Sequence, residues 1–231
     1  MSVIKFLAVI PARAGSKGLP GKNSKLLNGV PLIFYSIDIA RTILEDDDIC
    51  ISSNDLGLID IVQKQKKITV PFVRPEDLAT DEAGTHEVIL HAIDYYENIG
   101  KSYDAIILLQ PTSPLRTEEN LKKAIDLYMN DDLDMVVSVK ETKSNPYFTL
   151  FEENSEGYLN QSKISNYTRR QDCPKVYEYN GAIYVINVNS LKKSKMAQFS
   201  KIKKYIMSEE HSIDIDTPLD WKIAEMVLNS K

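Results

Sequence analysis

The sequence of 231 residues has few cysteines and no long apolar run. Its two cysteines, Cys50 and Cys173, lack the Cys-x-x-Cys spacing of a zinc or redox site, which argues against a metal-thiolate centre. No apolar stretch approaches the ~18 residues of a membrane span, and no signal-peptide pattern opens the chain. We therefore expect a protein of the reducing cytoplasm, without a membrane partner.

Acidic residues are absent before Asp38, although the whole chain carries a net charge of −5. An acidic chain is a poor general surface for nucleic acid, so we expect no nucleic-acid partner. The stretch before Asp38 nevertheless contains five basic residues, Lys5, Arg13, Lys17, Lys22 and Lys25. The positive charge is therefore local, and the anion that it binds is expected to be small.

Linkers and internal repeats are also missing. No Pro/Gly/Ser-rich stretch divides the chain, and 43% of its residues are hydrophobic, which is enough for one core. We therefore predict a single domain over residues 1–231. Residues 140–179 are polar and aromatic without a helical period, and they predict a small appendage with a hairpin turn at residues 154–157.

Apolar runs alternate with amphipathic stretches along the rest of the chain. Strands are predicted at residues 4–10, 49–51, 68–73, 105–109, 134–139, 182–188 and 202–207. Helices are predicted at residues 31–44, 56–66 and 83–96, after Thr117, and after Thr217, where the inner face would be Leu219, Ile223, Met226 and Val227. This alternation predicts a three-layer α/β fold with a largely parallel sheet.

The first predicted strand runs into a loop that is both basic and rich in glycine. The strand breaks at Pro11, and Gly15, Gly18 and Gly21 then lie among the basic residues. Glycine allows backbone N–H groups to approach a ligand, and Arg and Lys supply the charge that phosphate oxygens need. We interpret this loop as a polyphosphate cradle.

The spacing of the loop differs from two better-known phosphate loops. Five residues separate Gly15 from Gly21 and Asn23 follows Lys22, whereas a Walker loop has four residues and then Gly-Lys-Ser/Thr. The dinucleotide fingerprint G-x-G-x-x-G is also absent, because the glycines here are spaced G-x-x-G-x-x-G with Pro20 inside. The loop is therefore neither a Walker loop nor a dehydrogenase fingerprint.

Two carboxylates, Asp214 and Asp216, predict a metal site. On an extended segment, residues two apart point to the same side, so both side chains can bind one divalent cation. Magnesium is held by one or two carboxylates together with phosphate oxygens, so we expect Mg²⁺ between this pair and a bound polyphosphate. A D-x-D pair also marks haloacid-dehalogenase-type phosphatases, but there it lies on the first strand of the domain.

Five segments resemble, in the same order, those of one enzyme family. The run ARAGSKGLPGKN (residues 12–23) resembles the signature loop of the CMP-N-acylneuraminate (CMP-sialic acid) cytidylyltransferases, and LQPTSPLR (109–116) resembles their second signature. Residues 74–81, 169–184 and 212–217 are similar to further segments of the family. The resemblance implies a Rossmann-like nucleotidyltransferase fold and a homodimer, with residues 140–179 as the dimerisation appendage.

The resemblance also implies a role for each residue of a site. The residues that would bind CTP are Arg13, Ser16, Lys22 and Asn23 at the triphosphate and Arg74 and Thr85 at the cytidine end. Those that would bind the sugar acid are Gln110, Arg170 and Tyr184, with Arg170 in its own or the partner's site. The catalytic residues would be Arg13, Lys22 and Asp216, and the Mg²⁺ ligands Asp214 and Asp216. The implied reaction transfers CMP from CTP to the anomeric hydroxyl of a nine-carbon 2-keto sugar acid and releases pyrophosphate.

Two positions bear on which sugar acid is used. Bacterial sialic acid enzymes carry a lysine at the position of Phe148 and an arginine at that of Glu178, and legionaminic acid synthetases resemble the segment NPYF. The animal sialic acid enzymes resemble this chain at Glu178 and at RRQD, so N-acetylneuraminate is favoured and legionaminate is the alternative. A Kdo-type synthetase, a phosphatase and a non-catalytic nucleotide-binding module are the further alternatives.

Overall fold

The computed structural model describes residues 4–15, 18–80 and 82–230. Its strands, in chain order, are β1 (Phe6–Pro11), β2 (Leu26–Leu27), β3 (Val30–Pro31), β4 (Ile49–Ser52), β5 (Ala105–Leu108), β6 (Met135–Glu141), β7 (Phe151–Glu153), β8 (Leu159–Gln161), β9 (Tyr177–Asn187) and β10 (Ile202–Ile206). Its α-helices are α1 (Leu32–Arg41), α2 (Leu56–Ile61), α3 (Thr85–Asn98), α4 (Glu118–Met129), α5 (Val188–Lys193) and α6 (Pro218–Asn229).

The largest sheet contains six strands in the order β10-β6-β9-β5-β1-β4. All of them are parallel except β9, which runs antiparallel to β5 and β6. Alternate residues of β1 face opposite sides, so that Leu7 and Val9 pack with α3 whereas Ala8 and Ile10 pack with α1, α2 and α4. Helices cover both faces of a largely parallel sheet, which confirms the predicted three-layer α/β fold.

The carboxyl edge of this sheet is the edge that the signature segments reach. β1, β4 and β5 end there, and the antiparallel β9 begins there. β5 is buried along its whole length, as predicted for a central strand. Because ligands of open α/β sheets bind beyond the carboxyl ends of the strands, the loops after β1 and β5 are positioned for binding.

Two predicted elements differ from the structure. Residues 68–73 form no strand, and Val73 makes only an isolated parallel bridge with Ser53. Pro71 interrupts this run and has no N–H to donate, so the segment cannot pair continuously. The helix predicted at residues 56–66 is α-helical only over α2, and the following Val62–Lys66 form a wider π-helical turn.

The predicted inner face of α6 is wrong except at Val227, which is partly buried against the core. Leu219 and Met226 are 65% and 69% exposed, whereas Trp221 and Ala224 are buried. Trp221 packs in a third apolar cluster, which includes Leu27 of β2. An indole ring offers more apolar area than an aliphatic side chain, so burial of Trp221 sets the rotation of the helix.

Residues 140–179 leave the sheet between β6 and β9. Lys140 pairs with Glu178 and Glu141 with Tyr177, so the outer ends of these two strands carry the segment. Beyond them, β7 and β8 form the predicted hairpin, whose turn contains Gly157 at a φ of +83°. The exposed apolar side chains of this segment are Leu150, Phe151, Tyr158, Leu159, Ile164, Tyr167 and Tyr179. In the described ranges, no helix has the length and apolar character needed to cross a membrane.

Candidate active site

A cleft of about 520 Å³ lies at the carboxyl edge of the sheet. We call it the nucleotide cleft. It is lined by residues from segments far apart in the sequence. The predicted site residues that it brings together are Arg13, Lys22, Asn23, Arg74, Thr85, Gln110, Asp214 and Asp216. Of the other predicted residues, Ser16 lies outside the described residues.

The glycine-rich loop forms one wall of the nucleotide cleft. Gly15 and Gly21 have φ values of +75° and +67°, which glycine adopts without strain. Gly18 has a different function, because a Cβ on it would lie 2.1 Å from the backbone oxygen of Asp216. The loop therefore touches the backbone of residues 212–217, the segment that carries Asp214 and Asp216 and that we call the acidic segment. Only a residue without a side chain permits that approach.

Lys22 joins the same two segments from inside the protein. The residue is only 8% exposed, and its Nζ donates to the backbone oxygen of Ile215 at 2.8 Å and to Oδ1 of Asp216 at 2.9 Å. The Asp216 side chain is 70% exposed at the other end of this ion pair. A buried cation is thus presented to the cleft beside an accessible carboxylate. Asn23 lines the cleft next to it and donates from Nδ2 to the backbone oxygen of Arg13 at 3.3 Å.

Two arginines line the side of the nucleotide cleft near β4. Arg74 is 4% exposed, and its guanidinium donates to the hydroxyl of Ser52 at 3.0 Å and to the Ser52 backbone oxygen. Burial lowers the pKa of Arg74 to about 10, and the positive charge of Arg13 acts in the same direction. Arg13 donates to the backbone oxygen of Ala79 at 3.4 Å. An anion in the cleft would offset the repulsion between these two cations.

The first turn of α3 also reaches the nucleotide cleft. Thr85 is the first residue of the helix, and its neighbour Gly84 provides no side-chain cap. The backbone N–H groups at a helix start have no intrahelical partner, and they favour an acceptor atom or an anion. Thr85 is therefore located where a polar group of a ligand could be bound.

The turn after β5 is held by Arg116, and the sequence interpretation did not predict this structural role. Arg116 is 3% exposed, and it donates to the backbone oxygen of Gln110 at 2.9 Å and to that of Ser113. The Gln110 side chain lines the nucleotide cleft above this anchor. The position of Arg116 at the end of LQPTSPLR was the available signal, but nothing in the string indicates that the side chain turns back onto its own loop.

The acidic segment pairs with the same turn. The backbone N–H of Ile215 donates to the oxygen of Thr112 at 2.7 Å, so the two aspartates flank a fixed residue. Burial raises the pKa of Asp214, the Asp216 carboxylate raises it further, and a hydrogen bond with Thr112 opposes both effects. Oδ1 of Asp214 is buried and has no hydrogen-bond partner among the residues that the structure describes. A buried carboxylate oxygen without a partner, next to a second carboxylate in the same cleft, fits a divalent cation.

The two remaining predicted sugar-binding residues have different surroundings. Tyr184 of β9 is half-buried, and burial, with a smaller contribution from the Asp214 carboxylate, raises its pKa to about 12. Tyr184 is not among the described residues that line the nucleotide cleft. Arg170 lines a separate depression with Glu141 and Asn145, so within one chain the structure does not bring it into the nucleotide cleft.

A second cleft, of about 530 Å³, shares Asp214 and Asp216 with the nucleotide cleft. Its other lining includes Lys140 and Glu178, whose side chains form an ion pair at 3.4 Å. We call it the acidic-pair cleft. Because the two carboxylates line both clefts, two ligands could meet at them.

A buried polar network supports the acidic pair from below, and sequence interpretation missed it too. Asn180 is 3% exposed and donates from Nδ2 to the hydroxyl of Ser212 at 2.9 Å. Its Oδ1 accepts from Ser138 at 2.6 Å, and its backbone oxygen accepts from Ser113 at 3.2 Å. The network ties β6, β9, the turn after β5 and the acidic segment together. Its members are far apart in the sequence, so no local pattern indicates it.

Comparison with known proteins identifies the family of the chain. A sequence profile of the cytidylyltransferase family matches residues 7–226. A CMP-N,N'-diacetyllegionaminic acid synthase of Legionella pneumophila is 31% identical over 97% of both chains. An N-acylneuraminate cytidylyltransferase of Streptococcus agalactiae is 36% identical over 94% of this chain, which spans 52% of that relative's length.

Solved structures support the fold. A CMP:2-keto-3-deoxy-manno-octonic acid synthetase complexed with CTP aligns with a TM-score of 0.71 over 98% of this chain and 99% of the other, at 17% identity. The profile, the relatives and the shared fold cover nearly the same residues. The chain therefore belongs to the cytidylyltransferase family.

Proposed function

We propose that this protein transfers CMP from CTP to the anomeric hydroxyl of a nine-carbon 2-keto sugar acid, with release of pyrophosphate. The observation that carries the proposal is the meeting of a buried lysine, Lys22, with the carboxylates Asp214 and Asp216 in one cleft. A polyphosphate needs positive charge, and a divalent cation bound to it needs oxygen ligands. The nucleotide cleft offers both.

In this proposal the triphosphate of CTP lies along the glycine-rich loop. Lys22 and Arg13 neutralise the departing pyrophosphate, and Asn23 and Ser16 bind phosphate oxygens. Arg74 and Thr85, on the far side of the cleft, bind the cytidine end. Cations fixed before the reaction stabilise charge that develops in the transition state without having to reorganise.

Asp214 and Asp216 would hold Mg²⁺ against the triphosphate. A bound Mg²⁺ supplies Lewis-acid stabilisation of the phosphate charge. The partnerless Oδ1 of Asp214 supports this assignment, since it gives a buried oxygen that nothing else in the described residues binds.

The sugar acid would enter from the acidic-pair cleft and reach Gln110, which lines the nucleotide cleft on the other side of the two carboxylates. Its anomeric hydroxyl then faces the α-phosphorus across the two carboxylates that both clefts share. Asp216 is the exposed member of the pair, and it assists removal of the hydroxyl proton. Arg170 would bind the sugar carboxylate in its own or the partner subunit's site, since its depression shares Glu141 and Thr142 with the acidic-pair cleft.

N-acetylneuraminate is the acceptor that we favour, and legionaminate is the second candidate. The Streptococcus relative, named for N-acylneuraminate, has the higher identity of the two, whereas the Legionella relative, named for diacetyllegionaminic acid, matches this chain along its whole length. Glu178 is paired with Lys140 beside the acidic pair, so these two side chains face the incoming acid.

The test is an assay of pyrophosphate release from CTP with N-acetylneuraminate, legionaminate, Kdo or no acid. We expect release only with a nonulosonic acid, and the highest kcat/KM with N-acetylneuraminate. A preference above about tenfold for legionaminate, or about 1.4 kcal/mol, would replace the favoured acceptor. Phosphate release without any acid would indicate a phosphatase, and CTP binding without turnover would indicate a non-catalytic module.

The metal proposal has its own test in Asp214→Asn and Asp216→Asn. An amide keeps the shape of the side chain but is a weaker ligand for a hard cation, so both variants should need more Mg²⁺ for the same turnover. Mn²⁺ binding in the presence of CTP, followed by electron paramagnetic resonance, gives a readout that is independent of turnover. Equal metal dependence and equal Mn²⁺ affinity in wild type and both variants would contradict the assignment.

A further inference from the structure

Arg116 is a buried cation next to the candidate site. It is 3% exposed, and within the part of the chain that the structure describes its hydrogen bonds all go to neutral oxygens. Two of its nitrogens reach the Gln110 backbone oxygen, at 2.9 and 3.0 Å, and the same two also contact the Ser113 oxygen and the Ser36 hydroxyl. Its Nε is buried without a partner.

Burial of this charge is energetically unfavourable. Removing an ion from water costs several kcal/mol, and neutral acceptors recover only part of it. Desolvation lowers the pKa of Arg116 to about 9, and the Asp214 carboxylate partly offsets that effect. An apolar side chain could fill the same space beneath the turn without this cost. The hydrogen bonds of the Arg116 guanidinium therefore require an explanation.

The bonds of Arg116 fix the turn between Gln110 and Ser113 at both ends. Between these ends lies Thr112, whose backbone oxygen accepts from Ile215 at 2.7 Å and so fixes the segment that carries both aspartates. A planar guanidinium with several donors holds carbonyls in a defined arrangement, which a lysine ammonium cannot reproduce.

Arg116 also connects this turn to the opposite wall. It contacts Ser36 of α1, and the first turn of that helix donates from the Ile33 backbone to the oxygen of Asn23 at 3.0 Å. The glycine-rich loop is therefore attached to the backbone of α1. Gln110 and the acidic segment are instead held through the side chain of Arg116.

We propose that Arg116 is a positioning residue that holds Gln110 and the Asp214–Asp216 segment in the arrangement required by the acceptor sugar, while it contributes little to the binding of CTP in the absence of a divalent cation. The proposal rests on the proposed transferase function. Arg116 touches no reacting atom; it acts through the turn that it clamps.

The test compares Arg116→Lys with wild type in three measurements: thermal unfolding, CTP affinity without the acid and without a divalent cation, and kcat and KM for the acid at saturating CTP and Mg²⁺. Lysine keeps the positive charge but lacks the planar guanidinium that donates to several oxygens at once. We expect CTP affinity to stay within about twofold and kcat/KM for the acid to fall by at least about tenfold, since displacements near 1 Å can cost that much or more.

Arg41→Lys is the matched control. Arg41 also holds a loop through its guanidinium, which donates to the Lys66 backbone oxygen at 2.7 Å and to both carboxylate oxygens of Asp46. It is not among the described residues that line either cleft. It should lose stability without a change in the acid's kcat/KM. If Arg116→Lys fails to fold, Ser36→Ala removes one of the contacts of Arg116. This variant should also keep its CTP affinity and lose kcat/KM for the acid, by a smaller factor.

The outcomes are distinguishable. A wild-type protein that releases no pyrophosphate with any nonulosonic acid removes the proposed function and this inference together. An active wild type with an Arg116→Lys variant that keeps full kcat/KM for the acid, or loses CTP affinity and acid kcat/KM equally, overturns the inference alone.

Discussion

At the residue scale, the feature with the largest consequence is the position of Lys22. It is buried against the backbone of Ile215 and faces the cleft beside Asp216. Lys22→Met keeps most of the volume and removes the charge, so one preorganised cation is lost from the transition state. Turnover should fall by roughly 10²- to 10³-fold, about 2.7 to 4 kcal/mol. Initial rates at saturating CTP and sugar acid, with circular dichroism to verify the fold, provide the measurement.

Lys25→Met is the control for that variant. Lys25 lies in the same loop but is exposed and stacks over the Trp221 ring at 4.4 Å. Its removal should change stability slightly and leave kcat near the wild-type value. Near wild-type turnover in Lys22→Met, or an equal loss in both variants, would contradict the role given to Lys22.

Gly18 tests the contact between the glycine-rich loop and the acidic segment. A Cβ here would meet the backbone oxygen of Asp216 at 2.1 Å, far inside van der Waals contact, so Gly18→Ala must displace one of the two segments. We expect a well-folded protein with reduced CTP affinity and reduced turnover. Gly57→Ala is the comparison, because its Cβ would meet only the side chain of Asp55, at 3.3 Å. Equal activity of the two alanine variants, measured by CTP titration and pyrophosphate release, would rule out the contact.

At the scale of elements, α6 is the helix that fixes the acidic pair. Its N-cap Thr217 accepts from the backbone N–H of Asp220, and the Asp220 carboxylate accepts from the N–H of Asp216 at 3.1 Å. Thr217→Ala should cost about 1 kcal/mol of unfolding free energy, as the loss of an N-cap does. It should also lower turnover, because the Thr217 hydroxyl donates to the Asp220 oxygen that accepts from the backbone N–H of Asp216, and its loss loosens that contact. Asn187→Ala, which removes the N-cap of α5, should cost similar stability without loss of turnover. Denaturant titration and initial rates test both, and a Thr217→Ala variant as active as Asn187→Ala would contradict this role of α6.

Elements that are determined by neighbouring residues were predicted correctly, whereas elements that depend on distant contacts were not. β1 and β5 are short apolar runs followed by proline, and the sequence is sufficient to predict them. The face of α6 was predicted wrongly because a four-residue apolar stripe competes with one indole ring, and the partner of that ring, Leu27, is almost two hundred residues away.

The site was predicted in the same uneven way. Segments that carry a recognisable string were found, and the cleft assembles eight of their residues. Arg116 and Asn180 were missed as supports because their partners are backbone oxygens or side chains on other strands, which no string reveals. Sequence patterns identify groups that face a ligand better than groups that hold them.

At the scale of the whole molecule, one chain leaves much apolar surface uncovered. Leu159 of the hairpin is 67% exposed and Phe151 is 48% exposed, in a segment whose strands pair only with each other in the described residues. Soluble monomers rarely expose contiguous apolar patches of this kind, and a symmetric dimer covers the same patch on both copies. We therefore propose that residues 140–179 mediate a homodimer.

Sedimentation velocity at micromolar concentration tests the dimer with two variants of equal exposure. Leu159→Ser removes an apolar side chain that is 67% exposed on the hairpin, and Leu219→Ser removes one that is 65% exposed on α6. Neither side chain is buried in one chain, so neither variant should unfold the protein. Burial in a dimer would give Leu159 about 1.5–3 kcal/mol of association free energy per copy, so its loss should shift the equilibrium towards monomer. Turnover should fall on dilution if Arg170 acts in the partner's site. A wild type that is monomeric, or dissociation caused by Leu219→Ser and not by Leu159→Ser, would remove the hairpin from the interface.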